Sequence, residues 1–167
     1  MTELDWEGES DNPLEDILRA IHGDDAGQFI GRHHVRYYEK AGVYHVLSRV
    51  AGGMAMLVPT HELNRIIAGV LARALALYPE VRLFAFAFMS NHFHIELEGG
   101  VWIPRFIRYV KGQISLRVKD IVGREGPTLW DGEYAAAHLP SEGSQLRAFR
   151  YILSHGVKEG LVERPEQ

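Results

Sequence analysis

Between Val81 and Glu98 the chain has little choice of structure. Val81 to Met89 is strongly apolar, Ser90 and Asn91 interrupt it, and His92 to Glu98 then alternates polar with apolar side chains. Two such runs joined by a short polar turn predict a β-hairpin. The first run does not alternate, so a strand buried on both faces is expected there. In the second, successive side chains point to opposite faces of the strand. Phe93, Ile95 and Leu97 therefore share the core face, and His92 and His94 stand together on the face not used for the core.

The remaining elements follow from periodicity and punctuation. Val43 to Val50 is rich in β-branched and aromatic residues and reads as a strand ended by Gly52 and Gly53. Thr60 can cap a helix carrying Leu63, Ile66, Ile67, Val70, Leu71, Ala74 and Leu75 on one stripe and stopped by Pro79. A second helix starts near Pro104 and runs to Ile121, weakened in the middle by Gly112. Gly123 to Ser144, rich in Gly and Pro, reads as a long loop around Trp130 and Tyr134, and a third helix follows from about Glu142 to Gly156. Strand, helix, strand, strand, helix, loop, helix is an α+β order. It predicts a ferredoxin-like split β-α-β sandwich with an antiparallel sheet and an added C-terminal helix.

A length of 167 residues suits one core, and the absence of cysteine removes disulfides and thiolate metal sites. No apolar run approaches the roughly 20 residues that span a bilayer, and no signal-peptide pattern opens the chain, so a cytoplasmic protein with no membrane partner is expected. The net charge of -4 is unevenly placed: residues 1–25 hold nine acids against Arg19, which leaves 17 basic and 13 acidic side chains over residues 26–167. The expectation is an acidic arm without fixed structure over 1–25, or one that mimics DNA against a basic face, followed by a single, mildly basic domain over 26–167.

Two imidazoles side by side on a strand can share a divalent ion, because neutral imidazole nitrogen is a strong ligand. A His-x-His pair alone is equally two polar residues on an exposed face. The surrounding residues carry more. Met89-Ser90-Asn91-His92-Phe93-His94 resembles the Met-Pro-Asn-His-x-His signature of the HUH superfamily, specifically the single-tyrosine transposases of small insertion sequences and the REP-associated tyrosine transposases. Tyr44-His45-Val46-Leu47-Ser48-Arg49 is similar to that family's first-strand pattern, and Leu129-Trp130-Asp131-Gly132-Glu133-Tyr134 to its Leu-Trp-x-x-x-Tyr segment. Tyr151-Ile152-Leu153-Ser154-His155-Gly156-Val157-Lys158-Glu159-Gly160-Leu161-Val162 resembles its Tyr-Ile-x-x-Asn-Pro-Val-x-x-Gly-Leu-Val. The four blocks keep the family's order from residue 43 to 162.

The resemblance implies a metal-dependent endonuclease and strand transferase that acts on single-stranded DNA beside a hairpin through a 5'-phosphotyrosine. Tyr151 would be the nucleophile, with His92, His94 and His155 as metal ligands; Tyr151 and His155, at i and i+4, share a helical face. Tyr109 and Gln113 repeat that spacing on the second helix, but the family's nucleophile lies on the last. His155 stands where the family carries asparagine or glutamine, and Gly156 where proline is common. A cofactor of Mg2+ or Mn2+ is implied, with three imidazoles favouring Mn2+. The same change is compatible with a relict site. Arg32, Arg36, Arg49, Arg105, Arg108, Lys111, Arg117 and Lys119 are candidates for DNA-phosphate contacts, against the plainer reading of solvated charges. Two alternatives stay open: a domesticated, non-cleaving hairpin-binding protein, and an unrelated small-molecule metalloenzyme. Either a homodimer or a monomer fits. His33, His34, His45, His61 and His138 read as surface or core-edge residues.

Overall fold

The computed structural model describes residues 13–23, 29–30, 38–122, 128–158 and 160. In chain order the elements are α1 (Pro13–His22), β1 (Phe29–Ile30), β2 (Val43–Arg49), α2 (His61–Leu77), β3 (Arg82–Phe88), β4 (His92–Glu98), α3 (Ile103–Val122), β5 (Ala135–Leu139) and α4 (Glu142–Lys158). The strands form one antiparallel sheet in the order β1-β5-β2-β4-β3. Without the two-residue β1, this is the strand order of a ferredoxin-like split β-α-β fold.

The expected strand, hairpin and three helices are present with closely matching ends. Thr60 caps α2 by accepting from the Leu63 amide at 3.1 Å. Ser141 and Ser144 exchange hydrogen bonds at the start of α4, where the Ser144 amide donates to the Ser141 hydroxyl at 3.1 Å.

Alternation along β2 and β4 divides the interior in two. Tyr44, Val46, Phe93, Ile95 and Leu97 pack on α2 and α3 in the main core, with Phe106, Ile107 and Val110 among the enclosed side chains. On the other face, Leu14 and Leu18 of α1 cluster with Leu47, Ala135 and Ala137, and Ala148 of α4 packs with Val43 and Leu139. The sheet is therefore covered on both sides.

Three expectations need correction. The run over 82–88, expected to be buried on both faces, is an edge strand with Phe84 and Phe86 exposed. The strand enclosed on both faces is β4, because β2 and β3 flank it and helices cover it above and below. Within the expected loop 123–144, Ala135–Leu139 is a strand paired with β2. Residues 13–22, part of the stretch expected to lack structure, form α1. Residues 1–12 of the acidic stretch lie outside the described residues, as do Arg32, Arg36, His33 and His34.

Phe93 lies between the two histidines in sequence, is fully enclosed, and meets Trp130 edge-on at 5.2 Å between ring centroids. Phe93→Ala is expected to lower the unfolding free energy by about 3 to 5 kcal/mol, the usual cost of a cavity of that size. Urea denaturation checks this, and a loss below about 1 kcal/mol would contradict the packing described.

Candidate metal centre and facing tyrosine

With Phe93 and Ile95 committed to the main core, His92, His94 and Glu96 project to the opposite face of β4. There α4 supplies His155. Ligand nitrogens of His92, His94 and His155 all lie within 4.8 Å of one another, and His92 Nε2 and His155 Nε2 are 2.9 Å apart. His94 and His155 are buried and His92 half-buried, so this is not the exposed strand face the sequence allowed.

The hydrogen bonds behind two of the rings indicate which nitrogens face inward. Asn91 Nδ2 donates to the Gly53 carbonyl at 3.3 Å, which leaves Asn91 Oδ1 to accept at 2.6 Å from His92 Nδ1. A proton on Nδ1 leaves the His92 Nε2 lone pair directed at His155. His94 Nδ1 is likewise engaged, 2.9 Å from His45 Nε2, so its Nε2 is the nitrogen left for a ligand.

Burial keeps these rings neutral. It lowers His92 to about 4, assisted by His155 and Arg49, and holds His94 well below the usual histidine value, with His45 and His155 adding to the effect. Neutral imidazole is the metal-binding form. Nitrogens in adjacent positions on one cation, with bonds of about 2.1 Å, stand about 3.0 to 3.4 Å apart. The 2.9 Å separation of two Nε2 atoms is close to that spacing, so the donor set fits a single divalent ion.

Tyr151 stands on the same side of α4 as His155. Its ring centroid is 5.1 Å from that of His155, 5.5 Å from His94 and 6.1 Å from His45. Lys158 Nζ lies 4.5 Å from the centre of the tyrosine ring, a cation over its π face. Arg49, directly opposite His92 in the β2–β4 ladder, shares its face and is exposed beside the cluster.

The other candidates lie elsewhere. Tyr109 is in the α2–α3 layer against Tyr78, at 6.3 Å between centroids, on the opposite side of the sheet. Arg105, Arg108 and Lys119 line a groove along α3, and Arg117 lines another with Arg65 and Arg73. Lys111 donates to the Gly132 carbonyl at 2.8 Å and lies over the Trp130 ring.

Three groups at the site were missed in the sequence. His45, assigned to the surface or core edge, is fully enclosed beneath His94, and His22, at the end of α1, reaches it with Nε2 2.7 Å from His45 Nδ1. Glu96 is buried opposite His45 in the ladder, and one of its carboxyl oxygens has no hydrogen-bond partner among the described residues. The available signal was parity: Glu96 continues the His-x-His spacing, and His45 joins it once β2 and β4 are paired.

No protein-family model and no curated protein sequence matches the chain, and the likenesses found are to solved structures. A REP-associated tyrosine transposase bound to a REP hairpin superposes with a TM-score of 0.64 at 16% identity, covering 81% of this chain and 78% of that one. A Deinococcus radiodurans protein suggested to be a transposase gives a TM-score of 0.48 at 22% identity, over 74% of this chain and 94% of that one. The first likeness establishes the fold as that of a REP-associated tyrosine transposase.

Burial raises the Glu96 carboxyl from 4.5 to about 7. The unfolded chain ionises near 4.5 while the folded chain keeps its proton to about 7, so this group's contribution to stability is lost as pH rises through that window. Glu96→Gln cannot ionise. The variant's Tm relative to wild type is therefore expected to rise between pH 4.5 and 7 and to level off above, as read by thermal unfolding; a pH-independent difference would contradict the assignment.

Proposed function

We propose that the protein is a metal-dependent, single-tyrosine DNA nicking and joining enzyme of the HUH transposase type, acting on single-stranded DNA beside a hairpin. The observation that carries this reading is the tyrosine ring of α4 within 5.5 Å of both His94 and His155, in a cluster of three imidazoles. The four sequence blocks from 43 to 162 support it, as does the fold shared with a transposase solved on a REP hairpin.

His92, His94 and His155 would hold one divalent ion, Mn2+ or Mg2+, which supplies Lewis-acid polarisation of the scissile phosphate. Three imidazoles favour Mn2+. The Tyr151 oxygen attacks phosphorus, the bond from phosphorus to the upstream 3' oxygen breaks, and the phenolic proton ends on that oxygen. The products are a 5'-phosphotyrosine and a free 3'-hydroxyl. Attack by another 3'-hydroxyl reverses the exchange and joins the strands, so the bond energy is conserved. Lys158, over the tyrosine ring, and Arg49, at the rim, would supply positive charge to the phosphate being exchanged.

Labelled hairpin oligonucleotide incubated with the protein and Mn2+ is expected to give a denaturation-resistant adduct that chelation or Tyr151→Phe abolishes. No adduct with wild type, or an undiminished one with Tyr151→Phe, contradicts the reading. In the same assay Arg49→Ala is expected to reduce adduct formation roughly tenfold, the worth of one charge-assisted contact. Arg117→Ala, on the far side of the sheet, should change it by less than about threefold. Equal losses would remove the special role of Arg49.

A further inference from the structure

We propose that His22 and His45 form with His94 a buried imidazole relay whose proton arrangement decides whether His94 can hold a cation. The α1 helix thereby becomes a positioning element of the metal centre. The inference rests on the metal reading of the histidine cluster and extends it to residues outside that cluster.

Two links make the relay: His45 Nε2 to His94 Nδ1 at 2.9 Å, and His22 Nε2 to His45 Nδ1 at 2.7 Å. All three rings are buried, and His45 has no exposed surface. Each link between neutral imidazoles contains one proton, because one nitrogen donates and the other accepts. A neutral ring carries a single N–H, so the direction of one link dictates that of the next. Only two arrangements satisfy both.

In the first, His94 Nδ1–H donates to His45 Nε2, and His45 Nδ1–H donates to His22 Nε2. This leaves a lone pair on His94 Nε2. In the second, His22 donates to His45 and His45 donates to His94, which forces the remaining His94 proton onto Nε2 and blocks that nitrogen as a ligand. A cation on His94 therefore selects the first arrangement, in which His22 is the final acceptor. Burial lowers the pKa of His45 and His94, with neighbouring histidines adding to it, which keeps the two inner rings of the relay neutral.

His22 reaches this position only while α1 is docked. The last residue of that helix is held by Leu14 and Leu18 against Leu47, Ala135 and Ala137. Docking and cation binding are then linked, and each must strengthen the other by the same factor. Partners behind a metal-bound histidine typically change metal affinity by about 10- to 100-fold.

The test uses the full chain and Mn2+ as the probe. His22→Phe, which keeps volume but removes the acceptor, is expected to weaken Mn2+ binding about 10- to 100-fold, and His22→Gln, whose amide oxygen can accept, to restore most of it. Long-range 1H–15N spectra of the metal-free protein should show the His94 proton moving from Nδ1 toward Nε2 in His22→Phe. This shift is not expected from loss of packing alone. Hydrogen exchange of α1 amides in wild type needs no variant, and saturating Mn2+ should slow it by a comparable factor. Unchanged Mn2+ affinity in His22→Phe, or α1 exchange indifferent to Mn2+, overturns the relay while leaving the metal site standing. Wild type that binds no Mn2+ overturns both.

Discussion

Burying Phe93, Ile95 and Leu97 under α2 and α3 obliges His92, His94 and Glu96 to emerge on the other side of the sheet. The histidine-bearing face is thus a by-product of the core. A one-residue slip of β4 would send three polar side chains into the apolar layer and three large apolar ones toward α4, so packing of the main core enforces the geometry of the cluster. Because β4 is paired on both sides, with β2 and β3, neither histidine can shift without breaking a ladder.

What α4 and α1 add is a roof. The added helices turn a sheet face that would be wet in a two-layer fold into one where His94, His45 and Glu96 are almost wholly enclosed. Enclosure lowers the histidines and raises the glutamate for one reason, the cost of a charge away from water. Neutral imidazoles suit a cation. The same helix that closes the roof delivers His155 and Tyr151, one turn apart, so imidazole and phenol are positioned by a single rigid element.

Much of this was legible because strong periodicity survives translation into structure. The alternation of β2 and β4, the apolar stripes of α2 and α3, and the Tyr151–His155 spacing all depend on local geometry alone. The failures involve information that is not local. β5 opens with three alanines, poor strand formers, lies between Gly132 and Pro140, and becomes a strand only through pairing with β2. In α1 the acids conceal Leu14 and Leu18, whose i, i+4 spacing reaches the sheet. The apolar run of β3 looked like an interior strand, yet its place at the sheet edge leaves Phe84 and Phe86 exposed. His45 was misread because its importance lies in a register, His45 against Glu96 and Leu47 against His94, that one strand cannot reveal. Among the basic candidates, Arg49 shares the cluster's face by the same register, whereas those on α3 lie across the sheet.

The proposed chemistry turns on one cation held jointly by His92, His94 and His155. Pulsed electron paramagnetic resonance of Mn2+ bound to protein carrying 15N-labelled histidine tests it most directly, by counting coupled nitrogens. Couplings to all three imidazoles are expected, with the His92, His94 and His155 contributions each removed by the matching alanine substitution. A spectrum of Mn2+ surrounded only by water and oxygen donors, unaffected by those substitutions, would contradict it.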